Sequence, residues 1–263
     1  MRVSERFATL RSRGEKALIT YITGGDPNAD VTATLLREID RAGADVIELG
    51  IPFSDPLADG PTIQAASQRA LDGGITVRRI LDLVQENRDV IAAPIVLMTY
   101  YNPIHAYGLA AFARDAAAAG VNAILISDLP PEEAEPWCGE AANAGLETVF
   151  LLAPTSTPDR IRRVAELSTG FIYCVSRTGV TGARDELSTE IESLVTHIRA
   201  VTDKPIAVGF GVSTPEHVAQ VCRYADGAIV GSAIVSMIAK DADSPDMPAR
   251  VGAFVRSLKT ATR

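Results

Sequence analysis

Short apolar runs alternate with longer amphipathic segments along the whole chain, and this alternation restricts the fold more than any other feature. The segments between the runs have helical periodicity, and several open at Asp, Ser or Thr and close on Gly, as capped helices do. Helical connections make neighbouring strands parallel, so the pattern predicts a (β/α)8 TIM barrel. The eight predicted strands lie in ALITYITGG, DVIELGIPF, PIVLMTYY, NAILISDLP, ETVFLLAP, FIYCVSRTG, PIAVGFGVS and GAIVGSAIV.

The length of 263 residues suits one barrel domain over residues 1–263, and no linker-like stretch interrupts the pattern. The segment SERFATLRSRGE predicts an extra N-terminal helix, and the long stretch from Pro61 to Pro94 predicts a lengthened second βα unit. A doubly wound sheet is the competing fold. It is weaker because no GxGxxG motif follows the first strand.

Charge and composition exclude several functional classes. The formal net charge of -8, without a Lys/Arg cluster to offset it, argues against binding of nucleic acid or anionic membranes. The N-terminal segment has neither a signal core nor a transit composition, and no apolar run reaches membrane-spanning length, so we expect a soluble, cytoplasmic protein. Cys138, Cys174 and Cys222 are widely spaced and odd in number, which predicts buried apolar residues rather than disulfides or a zinc site.

The segment IELGIPFSDPLADG places a Glu inside an otherwise apolar strand. A period of two directs Val46, Glu48 and Gly50 to one face and Ile47 and Leu49 to the other, so Glu48 is expected to point into the barrel. An isolated buried carboxylate is costly, and no predicted strand supplies an inward Arg or Lys to pair with it. Glu48 is therefore a candidate functional residue at the C-terminal ends of the strands, where barrel enzymes have their sites.

Two aspartates follow in the loop after this strand. Asp55 and Asp59 both face the predicted mouth of the barrel, but Asp beside Pro and Gly is more often a turn or capping residue. From the motif chemistry alone, the functional and structural interpretations of Asp59 remain equally open.

Glycine-rich turns after three consecutive strands indicate a phosphate site. Gly209 and Gly211 follow the seventh predicted strand, and Gly231 and Ser232 end the eighth, where barrels commonly bind phosphate through backbone N–H groups. The loop SRTGVTG after the sixth strand is predicted to be a lid. Each turn alone could be an ordinary strand-to-helix connection, but together they favour a phosphorylated ligand.

The remaining residue types narrow the chemistry. His105, His197 and His217 are predicted in a loop, a helix and a helix start, so no strand end presents a set of metal ligands. The lysines lie before strands or near the C-terminus, where none can form an imine inside the barrel. With metal-assisted and imine chemistry disfavoured, proton transfer by carboxylates is the mechanism that remains. An aromatic and apolar lining, which could also be ordinary core, suits a flat ring; its members are Tyr21, Tyr100, Leu125, Leu151, Tyr173 and Phe210.

The segment IELGIPFSDPLADGPTIQ resembles the signature of the tryptophan synthase alpha subunit family. The resemblance extends in order through TYITGGDP, MTYYNP, SDLPPEE, SRTGVTG, GFGVSTPE and GSAIV, and so covers nearly the whole chain. It implies a barrel that cleaves indole-3-glycerol phosphate to indole and glyceraldehyde 3-phosphate. It also implies an alpha2beta2 heterotetramer with a beta subunit that binds pyridoxal phosphate, while this chain itself needs neither metal nor cofactor.

The resemblance also assigns roles to individual positions. Glu48 matches the catalytic acid/base, Asp59 the second catalytic carboxylate and Tyr173 an assisting tyrosine. Thr181 matches the lid threonine. The phosphate positions are Gly182, Gly211, Gly231, Ser232 and Phe210, and the indole-pocket positions are Tyr21, Tyr100, Leu125 and Leu151.

Two alternatives remain open from the sequence. A stand-alone lyase that releases free indole would share the same signature. A non-catalytic barrel that binds phosphate and regulates a partner is the other alternative, and the intact Glu48 and Asp59 argue against it.

Overall fold

The computed structural model of the chain describes residues 1–175, 189–209 and 211–263. Within these residues eight parallel strands close into a barrel, and each pairs with its neighbours in sequence order. The last strand returns to pair with the first, so the predicted (β/α)8 fold is confirmed. The strands are β1 (Ala17–Thr23), β2 (Val46–Gly50), β3 (Ile95–Thr99), β4 (Ala123–Ile126), β5 (Glu147–Leu152), β6 (Ile172–Val175), β7 (Ile206–Gly209) and β8 (Gly227–Val230).

Helices follow the strands and form the outer layer. The predicted N-terminal helix is present as α1, and α3 and α4 together fill the lengthened second unit. The helices are α1 (Val3–Ser12), α2 (Ala29–Arg41), α3 (Pro61–Asp72), α4 (Val77–Asn87), α5 (Tyr101–Tyr107), α6 (Leu109–Ala119), α7 (Glu135–Ala144), α8 (Pro158–Leu167), α9 (Thr189–Arg199), α10 (Pro215–Val221), α11 (Ser232–Lys240) and α12 (Met247–Thr260).

Local signals set the ends of several helices. The side chains of Asn28, Thr157 and Thr214 each accept a hydrogen bond from the backbone N–H three residues later, and so begin α2, α8 and α10. Gly120 and Gly145 end α6 and α7 with φ angles of 99° and 75°, a left-handed conformation that glycine adopts without strain. The Thr caps of α8 and α10 and the Gly cap of α6 agree with the predicted pattern, whereas the N-cap of α2 is an Asn and α8 and α10 do not end on Gly.

The prediction that His105 lies in a loop is wrong, because the residue lies within α5. Asp128 accepts the backbone N–H of Tyr101 at 2.7 Å and so satisfies a donor at the start of this helix. Pro103 occupies the first turn, where its missing N–H costs nothing, and Gly108 ends the helix at φ 93°. The capping carboxylate belongs to the next βα unit, so the sequence pattern around His105 gives no sign of this helix start.

The core has two layers on either side of the strands. Ile47 and Leu49 pack outward with the helices, while Val46 belongs to the apolar filling inside the barrel. Helix α1 covers the N-terminal end of the barrel, where Phe7 joins this filling. Closure of that end leaves the C-terminal end, hereafter the mouth, as the open end of the barrel.

The three cysteines are unpaired in the structure. Cys174 is buried, whereas Cys138 and Cys222 are partly buried and pack against the outer core. The expectation that all three are buried holds fully for Cys174 alone.

Candidate active site

A cavity opens at the mouth, where residues from several βα units meet. Tyr21 of β1, Asp59 of the β2–α3 loop and Tyr173 of β6 share this cavity with Gly211, Gly231 and Ser232. The structure therefore brings together one candidate carboxylate, two candidate tyrosines and three candidate phosphate residues. No lysine or histidine lines this cavity in the described residues.

Glu48 lies inside the barrel as its strand pattern predicts. In the register of the sheet it stands opposite Tyr21 on β1 and Val96 on β3. Its side chain is 1% exposed, and neither carboxyl oxygen has a hydrogen-bond partner among the described residues. Burial raises the pKa of Glu48 to about 8, and the nearby charge of Asp59 acts in the same direction. Glu48 is therefore a protonated acid at neutral pH.

Other buried carboxylates in the described chain show what a structural role looks like. Asp26 accepts two hydrogen bonds from Arg69, and Asp45 pairs with two cationic side chains. Glu147, which begins β5 at the opposite end of the barrel, accepts the N–H groups of the first residues of α1. Each of these carboxylates is paired, so the unpartnered state of Glu48 is not a general property of buried acids in this fold.

Asp59 is held at the cavity by a short loop. The hydroxyl of Tyr100 accepts the backbone N–H of Ala58 at 3.0 Å, and Gln64 donates to the carbonyl of Asp59 at 2.8 Å. Burial raises the pKa of Asp59 to about 6, against the lowering effect of a hydrogen bond from Tyr100. Asp59 is thus mostly ionised at neutral pH.

Asp55 does not share this environment. Its side chain is exposed and accepts a hydrogen bond from the neighbouring Ser54 hydroxyl. The structure therefore distinguishes the two aspartates that motif chemistry left undecided, because of the two only Asp59 lines the cavity.

Two tyrosines flank Glu48, and each packs over a glycine on the next strand. A methyl group built on Gly50 would overlap the Tyr21 hydroxyl oxygen, and one on Gly209 would lie 2.5 Å from that of Tyr173. Both glycines end their strands and leave space that any side chain would fill. Burial raises the pKa of both tyrosines well above its usual value, so their hydroxyls stay protonated. Gly209 was a candidate phosphate residue, but in the structure its surface is covered by Tyr173.

The opposite side of the cavity presents backbone rather than side chains. Gly211 has a φ of 77°, and Gly231 precedes Ser232, the first residue of α11. The first N–H groups of a helix have no partner within it and attract anions. Gly211, Gly231 and Ser232 therefore suit the phosphate role that the sequence predicts.

The other predicted site residues lie elsewhere. Tyr100 is engaged with the Asp59 loop, and Leu125 belongs to the barrel filling. Leu151 lines a separate cavity beside Val175. None of these three lines the cavity that Asp59 shares. Thr181, Gly182 and Phe210 lie outside the described residues.

Sequence reasoning missed several residues that line the cavity. Met98 and Ile229 could have been found, because a period of two places them inward on β3 and β8. Ile63 could not, because it lies on α3 and reaches the cavity only through the packing of that helix. Other lining residues come from the turns and helix starts, namely Gly60, Val212, Ser213 and Ala233.

Two kinds of feature are absent from the described part of the chain. Residues 1–175, 189–209 and 211–263 contain no group of three or more His, Cys, Asp or Glu side chains that could hold a metal ion. In the same ranges, no helix is long and apolar enough to cross a membrane.

Comparison with known proteins gives a consistent result. Residues 7–263 match the family model of the tryptophan synthase alpha chain. The chain is 52% identical over 258 residues to the tryptophan synthase alpha chain of Citrifermentans bemidjiense, covering 98% of this chain and 96% of that one. It is 50% identical over 260 residues to that of Acaryochloris marina, covering 98% and 97%.

Solved structures agree with these relatives. A structure of Mycobacterium tuberculosis tryptophan synthase superposes with a TM-score of 0.92 at 39% identity, covering 100% of this chain and 98% of that one. The tryptophan synthase alpha subunit of Legionella pneumophila gives a TM-score of 0.92 at 36% identity, covering 99% and 98%.

Proposed function

Because this chain belongs to the tryptophan synthase alpha chain family, we propose that its cavity performs the reaction of that family with Glu48 and Asp59 as the catalytic groups. The family enzyme is a lyase that cleaves indole-3-glycerol phosphate to indole and glyceraldehyde 3-phosphate. The observation that carries the assignment of residues is a buried, unpartnered acid, Glu48, close enough to Asp59 for the charge of Asp59 to raise its pKa, while Asp59 itself lines the cavity.

Cleavage of the side-chain carbon–carbon bond needs an electron sink. The indole ring supplies one once its carbon 3 is protonated, because the resulting indolenine accepts the bonding electrons when the side chain leaves. Glu48 is protonated at neutral pH, and we assign it the delivery of this proton. The Glu48 carboxylate then removes a proton from the side-chain hydroxyl next to the ring, and the aldehyde forms as the bond breaks.

Asp59 has a complementary task. Protonation of the ring places positive charge on its nitrogen, and an ionised carboxylate that accepts the ring N–H stabilises that charge. Its pKa of about 6 keeps Asp59 ionised at a pH where Glu48 still holds its proton. Two carboxyl groups in different environments thereby supply an acid and an anion at the same pH.

The remaining positions orient the substrate. We assign the phosphate to Gly211, Gly231 and Ser232 at the start of α11, together with Gly182 and Phe210, with Thr181 as the lid residue that reaches Asp59. The indole ring is assigned to the wall formed by Tyr21, and Tyr173 assists beside Glu48. The family resemblance also assigns Leu125, Leu151 and Tyr100 to the indole, although none of the three lines this cavity. The cavity-lining positions of Tyr21 and Tyr173 support this arrangement.

We also propose the assembly implied by the family. The partner is a tryptophan synthase beta subunit in an alpha2beta2 heterotetramer that receives the indole and binds pyridoxal phosphate. This chain is proposed to need no cofactor of its own and to act in the cytoplasm.

The test is indole release from indole-3-glycerol phosphate by the purified chain, with and without a beta subunit. We expect slow release by the chain alone and faster release with the partner. Glu48→Gln should lose about 10² to 10⁴ in kcat, because it removes a general acid/base. Glu147→Gln is the matched control, since Glu147 is a buried strand carboxyl at the other end of the barrel. A Glu48→Gln variant with the normal cleavage rate would refute the role of Glu48. No indole release by the unmodified chain, with or without the beta subunit, would favour the non-catalytic barrel.

A further inference from the structure

The hydroxyl of Tyr21 is a polar group in the cavity to which the proposed reaction gives no task. The side chain is buried and lines the cavity. A phenyl ring would pack equally well against a flat substrate, whereas burying a hydroxyl costs free energy unless it forms a hydrogen bond. The position of this hydroxyl is therefore informative.

The backbone of β2 sets where the hydroxyl lies. Tyr21 stands opposite Glu48 in the sheet, but its ring extends to Gly50, two residues further along β2. Only the absence of a side chain at Gly50 permits this, because a methyl group there would overlap the hydroxyl oxygen. The hydroxyl is thus held at the end of β2, where the loop to Asp59 begins.

Thr23 restricts the direction of the hydroxyl. Its Oγ1 lies 3.3 Å from the Tyr21 hydroxyl oxygen, and either group can be the donor. Thr23 is buried and lies two residues after Tyr21, on the same face of β1. When Thr23 donates to the Tyr21 oxygen, the Tyr21 proton remains available for a second acceptor.

Asp59 is the acceptor that fits best. It lines the same cavity, and its loop begins at the end of β2 where the hydroxyl lies. After burial, the charge of Asp59 is the largest cause that raises the pKa of Tyr21, ahead of Glu48. Tyr100 also contacts the Asp59 loop, through the backbone N–H of Ala58.

We propose that Tyr21 is a positioning residue for Asp59: Thr23 donates to Tyr21, and Tyr21 donates to the Asp59 carboxylate and directs it toward the ring nitrogen of the substrate. This inference rests on the proposed role of Asp59. The Thr23–Tyr21–Asp59 relay acts on the chemical step rather than on substrate binding, because the ring of Tyr21 remains in place whether or not its hydroxyl is present.

The test is the steady-state kinetics of indole release by Tyr21→Phe, Thr23→Val and the double variant. Tyr21→Phe should lower kcat by about 10- to 100-fold, the worth of a hydrogen bond to a charged group, and change KM by less than about twofold. Thr23→Val should lower kcat by about three- to tenfold in the normal chain and have no further effect in Tyr21→Phe, because the relay is then already broken.

Thr20→Val is the matched control. Thr20 is a buried threonine of the same strand, its hydroxyl has no hydrogen-bond partner among the described residues, and it alternates to the outer face with Leu18 and Ile22. We expect normal kinetics. The relay is refuted if Thr23→Val lowers kcat by the same factor in the normal chain and in Tyr21→Phe, or if Tyr21→Phe changes KM alone. Tyr21 is then only a wall of the pocket.

Asp59→Asn separates this inference from the proposed function. If Asp59→Asn is severely impaired and Tyr21→Phe has no further effect on it, both the role of Asp59 and the relay are supported. If Asp59→Asn is impaired and Tyr21→Phe lowers kcat equally in both backgrounds, the relay fails while the proposed function stands. If Asp59→Asn keeps the normal rate, the proposed role of Asp59 fails, and the relay fails with it.

Discussion

The hydroxyl of Tyr100 accepts a hydrogen bond from the backbone N–H of Ala58 at 3.0 Å. The two residues are 42 positions apart, on the ends of neighbouring βα units. This contact fixes the loop that carries Asp59, and the same hydroxyl lowers the pKa of the Asp59 carboxyl against the effect of burial. Tyr100 therefore holds the loop that carries Asp59, in addition to any contribution to a ring pocket.

Tyr100→Phe should impair catalysis by releasing this loop. We expect kcat/KM for indole release to fall about tenfold, because the hydrogen bond that holds the Asp59 loop is lost. Tyr101→Phe is a suitable control, since Tyr101 lies on α5 and stacks on His105 rather than on the Asp59 loop. Normal kinetics for Tyr100→Phe would show that the loop is positioned by other contacts.

The pH dependence of kcat/KM should be bell-shaped. Activity needs Asp59 ionised and Glu48 protonated, so the rate should rise with an apparent pKa near 6 and fall with one near 8. The two carboxyl groups interact, so these values belong to the pair. Asp59→Asn should remove the acidic limb from whatever activity remains. A rate that is constant from about pH 5 to 9 would contradict the assignment.

Glu48→Gln should make the folded chain more stable, increasingly so at higher pH. The folded-state pKa of Glu48 is raised from 4.5 to about 8, so between these values the folded state holds a proton that the unfolded state has lost. Stability of the normal chain therefore falls as pH rises through this window, whereas Gln cannot ionise. At about 1.4 kcal/mol per pKa unit, the gain reaches a few kcal/mol above pH 8.

Urea unfolding at pH 5, 7 and 9 measures this effect. Glu147→Gln should change stability in the opposite direction, because Glu147 accepts backbone hydrogen bonds that a charged oxygen makes stronger. Equal unfolding free energies for Glu48→Gln and the normal chain at pH 9 would show that Glu48 is not buried as an ionisable group.

Gly50→Ala should displace Tyr21, because the new methyl group would overlap the tyrosine hydroxyl and ring. We expect a loss of at least about tenfold in kcat and a loss of about 1–3 kcal/mol in stability. Gly139→Ala is the control: Gly139 lies in α7 with open space around it, and alanine there should stabilise the helix by about 1 kcal/mol. Adding Tyr21→Leu to Gly50→Ala should restore stability without restoring activity.

The ion pair between Asp26 and Arg69 should contribute to stability rather than to chemistry. Arg69 on α3 donates two hydrogen bonds of 2.8 Å to Asp26, which is 2% exposed. Arg69→Met leaves that carboxylate buried and unpaired, so we expect a loss of about 3 kcal/mol in unfolding free energy. Arg79→Met breaks an exposed pair with Glu86 on α4 and should cost less than about 1 kcal/mol. If the two variants lose the same unfolding free energy, burial of the Asp26 carboxylate does not make its ion pair with Arg69 more important for stability.

Most of what could be predicted came from patterns among residues that lie a few positions apart in the sequence. Alternation of apolar residues identified the strands of the barrel, and Thr157, Thr214 and Gly120 lie at helix ends of the predicted kinds. The same alternation placed Glu48 inside the barrel. His105 was misplaced because the carboxylate at the start of its helix, Asp128, lies in the next βα unit.

By itself the sequence determined the barrel, the inward direction of Glu48 and, through resemblance, the family. These follow from periods of 2 and 3.6 residues and from ordered motifs, which are local properties of the chain. Tertiary structure alone decided that Tyr100 holds the Asp59 loop and that Gly209 makes room for Tyr173. It also placed Asp59 rather than Asp55 at the cavity, which motif chemistry left open and only the family resemblance had indicated. Each of these outcomes depends on contacts between residues far apart in the chain, and closure of the barrel creates those contacts.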